Sequence, residues 1–113
     1  MKKTVSLKEN SDYKEIYNSG KSYANKYLVM YVKKNEMNNN RLGISVSKKV
    51  GNSVIRHRIT RLIRESYRLS EDKLMNGLDI VIVARINAKG KSYLDIESAL
   101  LHLTKLQRIW INT

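Results

Sequence analysis

Hydrophobic and polar positions along this chain follow two periods. Tyr13, Ile16 and Tyr17 recur at i, i+3 and i+4, the spacing of one helical face. Asn10 or Ser11 can cap that helix, which is expected to run through Tyr17, and Gly20 stands where a left-handed residue would close it. Residues 22–25 read as a short edge strand. Residues 26–33 then alternate, with Leu28, Met30 and Val32 on one side and Tyr27, Val29 and Tyr31 on the other, which predicts a strand. The polar stretch 35–40 reads as a hairpin loop. Residues 41–47 alternate again, with Leu42, Ile44 and Val46 facing one way.

Residues 48–53 form a basic turn into a longer helical pattern, with Asn52 or Ser53 as cap and an end near Leu69. At 100° per residue, Ile55, Ile59, Leu62, Ile63 and Ser66 fall on one side of that helix. Residues 70–72 suggest a new cap and a further short turn, which Asn76-Gly77 breaks. Residues 79–85 are almost continuously apolar, as expected of an interior strand covered on both faces. A loop over 87–91 leads to Ser92 and Asp95, spaced as a capping box. A last helix carries Ile96, Ala99, Leu100, Leu103, Leu106 and Trp110. The order of helix, strands, long helix, strand and helix implies an α+β or α/β sheet domain with a crossover. Such crossovers are generally right-handed. At 113 residues the chain reads as one domain, 1–113.

Charge sharpens this picture. The net charge is +12, and the stretch 48–68 sets Lys48, Lys49, Arg56, Arg58, Arg61, Arg64 and Arg68 against the single acid Glu65, half of that total. His57, Arg61, Arg64 and Arg68 cluster within roughly 60° on the side of the helix opposite its apolar face. Solvated helices usually mix signs at i, i+4, because adjacent like charges repel. A stacked cationic face therefore points to a polyanion: nucleic acid first, an acidic membrane surface second. Arginine suits phosphate because its planar fork binds two oxygens at once. Arg56 lies near the apolar side and can instead brace the helix against the sheet.

Other chemistry is sparse. The chain has no cysteine, which excludes disulfides and thiolate chemistry. No apolar run approaches the ~18 residues of a membrane span and no signal peptide is recognisable, so a cytoplasmic protein is expected. His57 and His102 have no ligand cluster near them, and both read as structural or phosphate-facing rather than metal-bound. The ten acids are scattered, with no pair resembling a two-metal nuclease centre. No catalytic or metal-ligating residue is assigned. Five of the seven tyrosines lie within the first 31 residues. Tyr23 and Tyr27 read equally well as core aromatics. Tyr13 and Tyr17 can wall a groove floored by Tyr31, a sequence-tolerant platform for single-stranded nucleic acid.

The run from Arg41 to Glu65 resembles the signature of the bacterial ribonuclease P protein subunit: a strand ending in SVSKK, then GNAV, then RNRIKRLIRE. Ala24-Asn25-Lys26, the strand ending in Tyr31, the apolar strand ending at Arg85 and the last helix extend the likeness over nearly the whole chain. Two positions depart from the pattern, His57 for asparagine and Thr60 for lysine. The resemblance implies an α+β sandwich with a mixed sheet of about four strands and a left-handed β-α-β crossover, like the second domain of ribosomal protein S5. It also implies a role in removing the 5′ leader of precursor tRNA, with catalysis and Mg²⁺ belonging to the RNA subunit and no cofactor bound by the protein. On that reading Lys48, Lys49, Arg56, His57, Arg58, Arg61, Arg64 and Arg68 meet the catalytic RNA, and Tyr13, Tyr17 and Tyr31 line the leader cleft. No membrane or DNA partner is expected. The alternatives are a basic RNA-binding protein without a catalytic partner, such as a ribosomal protein or RNA chaperone, and a protein-only nuclease.

Overall fold

The apolar run near 80 becomes the centre of the molecule. In a computed structural model, which describes Met1 and residues 3–111, the elements are β1 (Thr4–Ser6), α1 (Asn10–Ser19), β2 (Lys21–Ala24), β3 (Leu28–Lys34), β4 (Asn40–Ser45), α2 (Ser53–Ser70), β5 (Leu78–Ala84) and α3 (Tyr93–Gln107). Short 3-10 turns occupy Glu71–Lys73 and Ile86–Ala88. The sheet order is β1-β4-β5-β3-β2. Because β5 is central, its side chains meet protein on both faces, which accounts for its lack of alternation. Leu78, Ile80, Ile82 and Ala84 join the main core beneath α2 and α3, whereas Val81 lies on the other face with Leu7 and Ile16.

The helices form because their apolar stripes have somewhere to go. On α2, Ile59, Ile63, Ser66 and Tyr67 are buried, and Asn52 caps the first turn by accepting from the Ile55 N–H. On α3, Ser92 and Asp95 complete the capping box in both directions. Together α2 and α3 cover one face of the sheet. The shorter α1 crosses the other face and buries Ile16 there.

The β4–α2–β5 crossover joins two adjacent parallel strands and is left-handed. Arg85 N–H donates to Tyr27 O, which continues the antiparallel β3–β5 ladder. Odd-numbered β5 residues therefore turn their backbone groups toward β3 and their side chains toward α1. For an L-residue on an upward strand with its side chain toward the viewer, N–H and C=O point right. Seen from α1, β3 lies right of β5 and β4 lies left. Seen from the α2 side, the chain passes up β4, over the helix and into β5 on the left.

The architecture corrects several expectations. The sheet has five strands rather than about four: β1, too short to show a period, pairs with β4 through Thr4, whose hydroxyl lies 2.8 Å from the Tyr67 hydroxyl in the interior. Residues 35–40 do not form a hairpin loop, because β3 and β4 flank β5 instead of pairing. The helix α1 starts behind Glu9 with no side-chain cap. Gly20 is extended rather than left-handed, and its lack of a side chain serves a close approach instead: a Cβ there would stand 2.5 Å from Ile16 O. Tyr27 precedes β3, so it escapes the alternation and packs toward the main core with Lys91 over its ring. Ser70 does not cap the following turn; its hydroxyl donates to Ser66 O. The last helix ends at Gln107, which turns inward and donates to Lys21 O and Met30 O, leaving Leu106 exposed. Trp110 lies beyond the helix, bridged to Leu74.

Candidate nucleic-acid interface

Two surfaces stand out, on opposite faces of the sheet. The first is the outer side of α2. His57, Arg58, Arg61, Arg64 and Arg68 are exposed there, as are Lys48 and Lys49 in the turn before the helix. His57, Thr60, Arg61 and Arg64 line an open depression of about 520 Å³. Among the described residues, no carboxylate lies within ion-pair distance of Lys48, Lys49, Arg61 or Arg64.

Three cations of this face are committed locally. Arg56 donates through Nε to Gly51 O at 3.2 Å, so it braces the basic turn rather than the sheet. Arg58 donates to Lys91 O at 3.0 Å and ties α2 to the loop before α3. Arg68 makes a two-point pair with Glu65 at 2.7 and 2.8 Å. The single acid of the stretch therefore lies on the basic face, and its hydrogen bonds from Arg68 hold the Glu65 carboxyl below the usual carboxylate range. The freest part of the cationic surface is the stretch from Lys48 and Lys49 to His57, Arg61 and Arg64.

The second surface lies between α1 and the part of the sheet that α1 leaves open. Tyr13, Tyr17 and Tyr31 meet there, as the sequence implies. The rings of Tyr17 and Tyr31 stand edge to face with centroids 4.9 Å apart, and those of Tyr13 and Tyr17 are tilted at 6.3 Å. Tyr17 is 38% exposed, while Tyr13 and Tyr31 pack partly against the Leu7–Ile16–Val81 cluster. Burial and the neighbouring Tyr17 push the Tyr13 phenol upward, and a backbone hydrogen bond at Ile44 opposes them. The register places Val29 on β3, Val83 on β5 and Ser45 on β4 along the same face, all half-buried. These rings and side chains make a groove with an aromatic wall and a largely apolar floor. Its β4 strand leads directly into Lys48 and Lys49, so the two surfaces meet at that turn.

Two groove-forming residues were missed in the sequence. Gly43 lets Tyr13 lie on β4, since a Cβ there would come within 2.6 Å of the ring. A lone glycine inside a strand pattern is a signal of such close approach. Arg41 is the other. It donates through Nε and Nη2 to the two oxygens of Asp79 at 2.8 and 2.7 Å, and through Nη1 to Asp12 on α1 at 3.2 Å. Burial pushes the Asp79 carboxyl up, but hydrogen bonds from Arg41 and Asn35 and the charges of Arg41 and Lys33 together hold it below its ordinary value. Elsewhere, His102 is exposed with Nδ1 3.2 Å from Asn25 Nδ2. Among the described residues no three His, Asp or Glu side chains gather as a metal site, and no helix is long and apolar enough to cross a membrane.

Fold and surfaces together define a small basic α+β protein with a cationic helix on one side of its sheet and an aromatic groove on the other. The chain belongs to the ribonuclease P protein family, whose profile matches residues 1–107. The ribonuclease P protein component of Lachnoclostridium phytofermentans is 66% identical over 104 residues, covering 92% of this chain and 90% of that protein. That of Clostridium botulinum strain 657 is 53% identical over 105 residues, covering 92% and 95%. The RNase P protein of Staphylococcus aureus superposes with a TM-score of 0.87 at 40% identity, covering 93% of this chain and 96% of that one. The Thermotoga maritima RNase P protein gives 0.81 at 32% identity, covering 91% and 96%.

Proposed function

We propose that this protein binds the catalytic RNA of ribonuclease P through α2 and the single-stranded 5′ leader of precursor tRNA through the tyrosine groove, and so assists removal of the leader. The observation that carries this reading is the separation of a cationic helix face, on which Arg61 and Arg64 have no carboxylate partner among the described residues, from an aromatic groove on one small sheet. A helix face rich in arginine and lysine suits the phosphates of a folded RNA. A groove of edge-tilted tyrosines suits unpaired bases, each stacked base contributing ~1–3 kcal/mol without regard to sequence. Lys48 and Lys49, where the two surfaces meet, reduce repulsion between the two polyanions.

The chemistry of hydrolysis is assigned to the RNA. Asp12 and Asp79 both accept from Arg41, so the carboxylates beside the groove are already engaged by a cation and do not suit a protein-held metal. Mg²⁺ enters through the RNA subunit, and the protein works with it in the cytoplasm.

The test is reconstitution with a ribonuclease P RNA. The mixture should cleave precursor tRNA and bind it more tightly than mature tRNA, while the protein alone should not cleave. Unchanged affinity for leader-bearing substrate on adding the protein would remove the groove from the mechanism. Cleavage by the protein without RNA would favour a protein nuclease, and no turnover in the mixture would favour an RNA-binding protein of another kind.

A further inference from the structure

The N-terminal end of α1 is held to the sheet by a chain of charges. Asp79 on β5 is buried, with its side chain 6% exposed. Its two oxygens take the Nε and Nη2 groups of Arg41, and Asn35 Nδ2 adds a third hydrogen bond at 2.8 Å. The guanidinium is thereby fixed in place on β4, and its remaining Nη1 reaches up to Asp12 in the first turn of α1. Beside Asp12, the Tyr13 phenol has its own backbone hydrogen bond at Ile44 on the β4 side, and the other attachments of α1 lie further along. Ile16 is buried beneath the helix, and Glu15 pairs with Lys33 at 3.6 Å in an exposed position that contributes little. The N-cap residue Glu9 makes no side-chain cap. Asp12 directly precedes Tyr13, whose ring rests on Gly43, two residues along the same strand from Arg41.

We propose that Asp12 and Arg41 are positioning residues for leader binding: the Asp79–Arg41–Asp12 chain sets where α1 sits over β4, and so sets the height and tilt of the Tyr13 and Tyr17 rings relative to Tyr31. This rests on the groove holding the leader. Electrostatics makes the proposal distinctive. The triad carries two acids and one base, a net negative charge beside a groove for a polyanion. Removing the Asp12 charge would, by Coulomb attraction alone, tighten leader binding. Loss of positioning loosens it. The two effects have opposite signs.

The experiment uses holoenzyme reconstituted with a ribonuclease P RNA. Affinities are measured for precursor tRNA with a single-stranded leader and for mature tRNA without one. Asp12→Asn is expected to reduce the leader-dependent gain in affinity roughly tenfold, the scale of one base's stacking, with mature tRNA affinity held and only a small fall in the thermal midpoint. Asp12 also favours the positive end of the helix dipole. The double variant Ser11→Asp with Asp12→Asn restores an acid to the first turn but not to Arg41, and it should remain weak. Asp12→Glu, which keeps a carboxylate in reach, should recover part of the gain. Tyr17→Ala separates the two readings. If it weakens leader binding while Asp12→Asn leaves it unchanged or tighter, the positioning role is overturned and the groove stands. If neither variant matters, the groove reading fails and this one with it. An equal loss for mature tRNA would show general disruption and would also overturn the proposal.

Discussion

At residue 43, the absence of a side chain decides where an aromatic wall can stand. Any Cβ at Gly43 would press into the Tyr13 ring at 2.6 Å. The ring is the far end of a side chain and can swing away, so the fold should survive Gly43→Ala at a cost of about 1 kcal/mol, the low end for overpacking. Leader affinity should fall several-fold, read by comparing precursor and mature tRNA in the reconstituted enzyme. Unchanged affinity would mean that Tyr13 does not shape the site. Asp79 offers a second residue-scale prediction. Its folded carboxyl titrates below its unfolded value of ~3.9. The folded state therefore binds fewer protons in that window, and stability rises with pH through it. Acidifying from about pH 5 to about pH 3 erodes this contribution, which is lost in full only as the pH falls through the folded carboxyl's own, lower value. Asp79→Asn should make the fall of the urea midpoint over that range shallower, and an identical fall would show that the pair contributes nothing. The sequence carried a signal for only one of the two: Gly43 is a lone glycine inside an alternating strand, whereas the partner of Asp79, Arg41, lies 38 positions away on a neighbouring strand.

The helix α2 is the element whose role was most legible, because its two faces differ so sharply in chemistry. Ile59, Ile63 and Ser66 are buried as their spacing implies, and the arginines opposite them are exposed. Arg61 has no carboxylate partner among the described residues and lines the depression with His57, Thr60 and Arg64. Arg61→Ala should weaken docking on the RNA subunit and reduce the slope of log affinity against log salt by about 1, one phosphate contact's share. Folding stability should stay within ~0.5 kcal/mol, as for exposed residues without local partners. A large drop in the thermal midpoint would show that Arg61 supports the fold instead. What the pattern could not give is which cations of this face are already engaged. Arg56 and Arg58 find Gly51 O and Lys91 O only once the turns and loops are folded, whereas Arg68 pairs with Glu65 one turn away within α2 itself. The same limit explains Trp110: the apolar period continues past the end of α3, but the left-handed residue at Arg108 stops the helix and redirects the chain.

At the scale of the whole molecule, topology places the two surfaces apart. Apart from the three-residue β1, the elements were readable from the sequence pattern, but their neighbours were not. The continuous apolar run at β5 implied a buried strand without saying that it would separate β3 from β4, and the left-handed crossover followed from the family resemblance rather than from the general preference for right-handed ones. That topology puts α1 on one face of the sheet and α2 on the other, so Tyr17 and Arg61 share no partner. Changes at such independent sites are expected to add within about 0.5 kcal/mol. Leader-dependent affinity can be measured with the protein variant saturating the RNA subunit, so that weaker docking does not enter. Under those conditions Arg61→Ala should leave the leader's contribution intact, Tyr17→Ala should reduce it, and the double variant should match Tyr17→Ala alone. RNA-subunit affinity should show the converse, responding to Arg61→Ala and not to Tyr17→Ala. Coupling well beyond ~0.5 kcal/mol in either measurement would mean that one continuous RNA path crosses both faces by way of Lys48 and Lys49, and that the protein reads the two RNAs as a single surface.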